Sequence, residues 1–204
     1  MVRAAALVTG DGAKLQAILD SMYFKEIPDF ELIAVISSQR EAYAMKRALN
    51  AGVPAYVVDP ELFPNSTSHS MAVANKLKDM DIDLVILAGY EQPLGVIPYQ
   101  FKNRIIGTCP ALCPAFEEAE GDVQRAVLER GVKVTGATSY FADGDGRVGG
   151  IIAQRAVEVK ADDTPETLSR RVLEEAEWKL LSQAVSLYCG NKLKIHGNRV
   201  IIEK

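Results

Sequence analysis

Cysteine and histidine are scarce in this chain of 204 residues: it has three of the first (Cys109, Cys113, Cys189) and two of the second (His69, His196). They neither close a disulfide framework nor make a convincing zinc set. A reducing, cytoplasmic setting is the resulting expectation. Long apolar runs are absent too. The longest are strand-sized, such as residues 84–88, far short of the roughly 18 residues that span a bilayer, so no membrane partner is expected. Residues 1–8 are apolar with one arginine and lead straight into Thr9-Gly10-Asp11-Gly12. That is not the pattern of a signal peptide. Basic blocks are missing as well. Lys and Arg total 23 against 27 Asp and Glu, for a net charge of -4, so nucleic acid is not an expected partner. A small anionic ligand must then be held by local features and not by the overall field. Repeats, low-complexity tracts and linkers are also lacking, and the length fits one domain.

What is present is an alternation of short apolar runs with helical stretches. Residues 4–8 read as a buried strand, followed by a helix over 13–23 with Leu15, Ile18, Leu19 and Met22 on one face. Residues 32–36 read as the second strand. A helix over 41–50 stops at Gly52, with Pro54 beyond. The third strand covers 55–58, a polar turn-like stretch 60–70, a helix 71–79, and further strands 83–88 and 104–108. This alternation predicts an α/β fold, a mostly parallel twisted sheet with helices on both faces. Ligands in such folds bind at the carboxyl edge, here the loops 9–14, 89–94 and 107–116. The second half reads as a helix over 122–130, strands 132–141 and 151–159 joined by a loop 142–150, and a long C-terminal helix. That helix opens on Thr164 as N-cap with Pro165 next and runs to Cys189. A terminal β-hairpin, 192–195 with 199–202, ends the chain. His69 and His196 read as loop or turn residues.

Gly10-Asp11-Gly12-Ala13-Lys14 stands between a strand and a helix. Glycine permits a sharp turn, and a helix N-terminus offers free N–H groups to an anion; Lys14 adds a charge. The loop lacks the third glycine of a dinucleotide fingerprint and the ending of a P-loop. It is either an anion site or a tight strand-to-helix turn, and Asp11 weighs against a phosphate unless its side chain points away.

Four segments in order carry a resemblance. Residues 7–18, Leu-Val-Thr-Gly-Asp-Gly-Ala-Lys-Leu-Gln-Ala-Ile, are similar to the opening of glycinamide ribonucleotide formyltransferases, an apolar strand followed by S-G-x-G-S-N-L-Q-A-I. Residues 83–90 look like that family's D-x-x-V-L-A-G-[FY], 109–116 like its H-P-S-L-L-P-x-[FY], and 131–138 like its G-V-x-x-T-G-x-T, continuing without gaps to Gln154. The resemblance covers about residues 2–196. It implies a single Rossmann-like formyltransferase domain, with residues 1–100 as the phosphate-loop half and 101–204 as the folate-cleft half. It also implies formyl transfer from 10-formyltetrahydrofolate to the amine of glycinamide ribonucleotide. No metal and no bound cofactor are implied, and folate enters only as co-substrate of an active enzyme. These features do not give an oligomeric state.

The resemblance also says where this chain departs. The family's chemistry rests on the asparagine and histidine of N-x-H-P and on an aspartate ahead of a G-x-[IV]-[IV] run. Those positions hold Gly107, Cys109 and Arg147 here, with Asp145 nearby as a substitute for the aspartate if the loop is shifted. Glycine has no side-chain donor, cysteine is a weak one, and arginine is a permanent cation that cannot act as a base. Of the substrate positions, Gly10 and Gly12 are retained, while Ala13 and Lys14 replace serine and asparagine. Ser66 and Gln92 stand where arginines are usual, Gln92 two residues beyond Tyr90. Glu177 matches an acidic residue that holds ribose hydroxyls, or is a solvated glutamate of the 174–177 stretch. Tyr140 reads as cleft wall. Glu117-Glu118-Ala119-Glu120 adds negative charge where a folate tail would approach. Cys109 and Cys113 are either two small buried hydrophobes or include a thiol activated by Arg147.

Three functions fit these residues. One is a formyltransferase relative that binds a small phosphate-bearing or nucleotide-like ligand without formyl transfer. Another is a one-carbon transferase acting through Cys109 or Asp145 on a different substrate. The third is a regulatory or interaction protein on the same scaffold, facing its partner with loop 117–120.

Overall fold

The computed structural model describes residues 1–117 and 122–203. In chain order the elements are β1 (Val2–Val8), α1 (Ala13–Tyr23), β2 (Phe30–Ser37), α2 (Tyr43–Asn50), β3 (Ala55–Val57), a 3-10 turn (Pro60–Leu62), α3 (Ser66–Asp79), β4 (Leu84–Leu87), α4 (Ile97–Gln100) and β5 (Ile105–Cys109). Then follow α5 (Val123–Arg130), β6 (Val134–Ala142), β7 (Val148–Glu158), α6 (Pro165–Val172), a π-helical turn (Leu173–Glu177), α7 (Trp178–Cys189), β8 (Leu193–His196) and β9 (Arg199–Ile202).

One sheet runs in the order β3-β2-β1-β4-β5-β6-β7-β9-β8. The first five strands in that order pair in parallel. Beyond β5 the pairing turns antiparallel through β6 and β7, and the terminal hairpin β8–β9 joins β7 through β9. The pleat divides β1 between two cores. Ala4, Ala6 and Val8 meet Leu15, Ile18 and Leu181 on one face, and Ala5 and Leu7 meet Val73, Leu77 and Ile97 on the other. A third core lies under the antiparallel half, where Val127, Leu168, Val172 and Leu180 pack against Ala137 and Val157. The α/β, mostly parallel architecture with a C-terminal helix and terminal hairpin is therefore as the sequence predicts.

Three boundaries differ from the sequence reading. Helix α3 starts at Ser66 and not at residue 71, because the Asn65 side chain accepts from the Ser68 N–H at 2.9 Å and caps it. His69 consequently lies buried in a helix, with Nε2 2.9 Å from the Val58 carbonyl oxygen, and His196 is the last residue of β8. The loop expected over 142–150 narrows to residues 143–147. Ala142 pairs with Val148, and two of the four glycines that suggested a loop, Gly149 and Gly150, lie in β7, where a Cβ on Gly149 would meet the Phe141 carbonyl oxygen at 2.7 Å. The C-terminal helix starts as expected, with Thr164 and Thr167 forming a capping box, but is interrupted by the π-turn at Leu173–Glu177. The helix at Ile97–Gln100 was not expected.

Gly136 sets the closeness of the β6–β7 pair. A Cβ there would lie 2.0 Å from the Arg155 carbonyl oxygen, a backbone atom that cannot move without breaking the ladder. Gly136→Ala is expected to cost about 1–3 kcal/mol through overpacking and to lower the melting temperature by several degrees. A melting curve unchanged from wild type would contradict this packing.

Candidate active site

Strand order reverses between β1 and β4, so the loops after these two strands face one crevice. The loops are stitched together. Thr9 donates its N–H to the Gly89 carbonyl at 2.8 Å, and Glu91 donates its N–H to the Thr9 hydroxyl oxygen at 3.2 Å. Gly12 caps α1 with φ 72°, and a Cβ on it would lie 2.7 Å from Ala44 Cβ. Glycine is required there on both counts. Gly10 accepts from the Ala44 N–H at 3.2 Å, which docks the loop on α2. One N–H at the helix start is already taken. Asp11 folds back, and its Oδ1 accepts the Ala13 N–H at 3.0 Å.

Lys14 is also engaged. Its Nζ lies 2.5 Å from Glu177 Oε1, and the Thr108 hydroxyl donates to the same oxygen at 2.9 Å. Glu177 is only 4% exposed. It is not part of a solvated glutamate face, although Glu174 and Glu175 are exposed. Glu177 closes the π-turn, where one extra residue per turn changes which side chains face inward. Sequence reasoning missed Thr108, whose only signal was its place inside the strand motif.

Beside this link a cavity of about 720 Å³ opens at the carboxyl edge. Thr108, Cys109 and Pro110 line it from the end of β5, Tyr140 from β6, Arg147 and Val148 from the β7 edge, and Glu117 from the loop beyond. Cys109 and Arg147 are thus brought to one cavity, while Gly107 is buried, paired directly across the strands to Tyr140. Asp145 is exposed in the β6–β7 turn, its N–H held by the Asp143 carboxylate at 2.9 Å, and it is not on the cavity wall. Tyr90 and Gln92 are half-buried in the loop after β4 and do not line the cavity either. Burial pushes the Tyr90 phenol upward. Ser66 is the exposed first residue of α3. Glu118 and Glu120 lie outside the described residues, and of that acidic run only Glu117 is seen at the cavity. A separate hollow of about 470 Å³ between α1 and α7 shares none of these residues. Among the described residues no cluster of three or more metal-ligating side chains occurs, and no helix is long and apolar enough to cross a membrane.

The segment carrying both cavity cysteines is fixed from behind. Thr138 donates its hydroxyl to the Ala111 carbonyl at 2.7 Å and accepts the Cys113 N–H at 3.0 Å, while Gln154 Nε2 donates to the Cys113 carbonyl at 2.8 Å. These two residues were not singled out in the sequence, though both fall within the gap-free match. Arg147 does not lower Cys109. The hydrogen bond it shares with Cys113, and then burial, push the Cys109 thiol well up. The same shared bond, with Cys109 as donor, draws Cys113 down to about 7. Burial pushes Cys189 up to about 12.

Thiolate is the reactive form. Labelling by a small thiol reagent should therefore rise with pH through about 7 at the Cys109–Cys113 pair and stay slow at Cys189. Cys109→Ala removes the donor and should move that midpoint upward. Peptide mapping across a pH series reads both. Equal labelling of all three cysteines, or a midpoint unmoved in the variant, would contradict the thiol pairing.

Comparison with known proteins agrees with this geometry. The formyl transferase family model matches residues 2–185. The trifunctional purine biosynthetic protein adenosine-3 of Gallus gallus is 34% identical over 95% of the chain, which spans only 19% of that relative's length. The phosphoribosylglycinamide formyltransferase of Bacillus subtilis is 30% identical over 84% of this chain and 87% of its own. The crystal structure of glycinamide ribonucleotide transformylase 1 from Symbiobacterium toebii superposes with a TM-score of 0.94 at 40% identity, covering 100% of this chain and 95% of that one. By sequence and by fold, the chain belongs to the formyl transferase family, among the phosphoribosylglycinamide formyltransferases.

Proposed function

We propose that this protein binds a small phosphate-bearing, nucleotide-like ligand of purine biosynthesis in the crevice and cavity, in the cytoplasm. We propose further that it does not transfer a formyl group from 10-formyltetrahydrofolate to glycinamide ribonucleotide at an ordinary enzyme rate. The observation that carries this is a protonated thiol at Cys109 and a permanent cation at Arg147 on the cavity wall, with no side chain at Gly107, which is buried under the Tyr140 phenol. Formyl transfer passes through a tetrahedral oxyanion, and the attacking amine must lose a proton. A thiol pushed well above neutrality does not shuttle protons there, and a guanidinium is never the base. Loss of one oxyanion donor costs about 10²–10³ in rate, and loss of acid–base help about 10²–10⁴. The groups act as a unit, so the factors are not multiplied.

A phosphate at the start of α1 must compete with Asp11 for the Ala13 N–H. That favours a ligand with further contacts in the cavity over a free anion. A second reading, a one-carbon transferase for another substrate, draws support from the lining itself. Thr108, Tyr140 and Arg147 leave the cavity polar and open instead of filling it.

Turnover followed by folate absorbance, with both substrates at saturation, should fall about a hundredfold or more below the usual enzyme value of about 10 s⁻¹. Glycinamide ribonucleotide should still stabilise the protein, by about 2.7 kcal/mol at 100 times its dissociation constant. Turnover within about tenfold of the usual value would overturn the loss of transfer. Absence of any thermal shift with ribonucleotide phosphates would overturn the ligand class.

A further inference from the structure

Gly107 and Tyr140 are direct antiparallel partners of β5 and β6, so side chains at the two positions share one face. A Cβ on Gly107 would lie 3.0 Å from the Tyr140 hydroxyl oxygen, 3.1 Å from its Cζ and 3.2 Å from Leu87 Cδ1. All three contacts are tighter than ordinary van der Waals packing. Gly107 has no left-handed backbone angle that would call for glycine. The phenol lies over Gly107, and a Cβ there would push on the Tyr140 ring and on Leu87 by a few tenths of an ångström.

The phenol ends at the cavity. Among the described residues its hydroxyl makes no hydrogen bond, yet it is not one of the buried, sealed-off polar atoms. A phenol is a neutral donor at physiological pH, and burial of the ring pushes its titration further up. Arg147 lines the same cavity.

We infer that Tyr140 is the hydrogen-bond donor of this cavity and that, together with Arg147, it holds the carboxylate end of a small-molecule ligand. The inference rests on the reading that this cavity is the ligand site. One neutral O–H and one planar guanidinium match a two-oxygen monoanion. A phosphate dianion fits less well, because Glu117 lies on the same wall and the Glu177 carboxylate lies behind Thr108. A plain carbonyl would leave the cation without a counter-charge.

Formate is the minimal probe, titrated calorimetrically into the full chain against chloride at matched ionic strength, with inorganic phosphate in parallel. Wild type should bind formate saturably. Tyr140→Phe keeps the ring and removes only the donor, and should raise the formate dissociation constant about tenfold while the melting temperature stays near wild type. Gly107→Ala should weaken formate too, by displacing the phenol, and Arg147→Ala should weaken it at least as much as Tyr140→Phe. Equal affinity of wild type and Tyr140→Phe would overturn the inference, as would no saturable formate binding by wild type. Phosphate losing as much affinity as formate in Tyr140→Phe would overturn the carboxylate class. These outcomes are independent of the turnover assay: formyl transfer at an ordinary rate would sink the proposed function alone, and an unchanged formate affinity would sink this inference alone.

Discussion

A carboxylate taken out of water must be paired or neutralised, and in this protein Glu177 is such a group. Its oxygen meets the Lys14 ammonium at 2.5 Å and the Thr108 hydroxyl at 2.9 Å. Those three residues come from the end of the π-turn in the long C-terminal helix, the first turn of α1, and the end of strand β5. The contact therefore fastens the glycine loop and the cavity strand to one point of the helix that crosses behind them. Removing one member of a buried pair is far more damaging than removing both, because the survivor is left unpaired. Position 14 and position 177 are for that reason not independently variable.

The consequences spread to the ligand edge. With Lys14 turned to Glu177, the glycine loop keeps no free cation from its own helix, and Asp11 has taken the Ala13 N–H. Arg47 from α2 holds the Asp11 carbonyl of the loop, and a further positive charge lines the cavity at Arg147. A protonated thiol, a phenol and a guanidinium line the cavity. The scaffold is that of the formyl transferase family, and the proposed loss of transfer rests on these lining groups.

Much of this fold was legible in the sequence. Apolar runs of strand length, separated by helical periodicity, leave few alternatives to a parallel sheet, and Thr164-Pro165 marks a helix start in plain chemistry. What escaped was decided by single contacts. Asn65 caps α3 through one side-chain oxygen, hidden in a polar run that reads as a turn. Gly149 and Gly150 look like loop glycines but sit in β7, where a neighbouring carbonyl and Val200 leave no room for a Cβ. The π-turn is invisible in composition, yet it separates a buried Glu177 from a solvated one. At the site, motif order pointed to Cys109 and Arg147, which line one cavity. The meaning of Gly107 needed the cross-strand register with Tyr140, and the direction of the Cys109 thiol needed the position of Cys113.

The Lys14–Glu177 pair holds the glycine loop and the cavity strand in register. A double-mutant cycle read by urea unfolding tests it most directly. Lys14→Met should cost about 3–5 kcal/mol, towards the lower end because the Lys14 side chain is 19% exposed. Adding Glu177→Gln to Lys14→Met should restore most of that loss. Strictly additive losses, or a Lys14→Met protein as stable as wild type, would contradict the account.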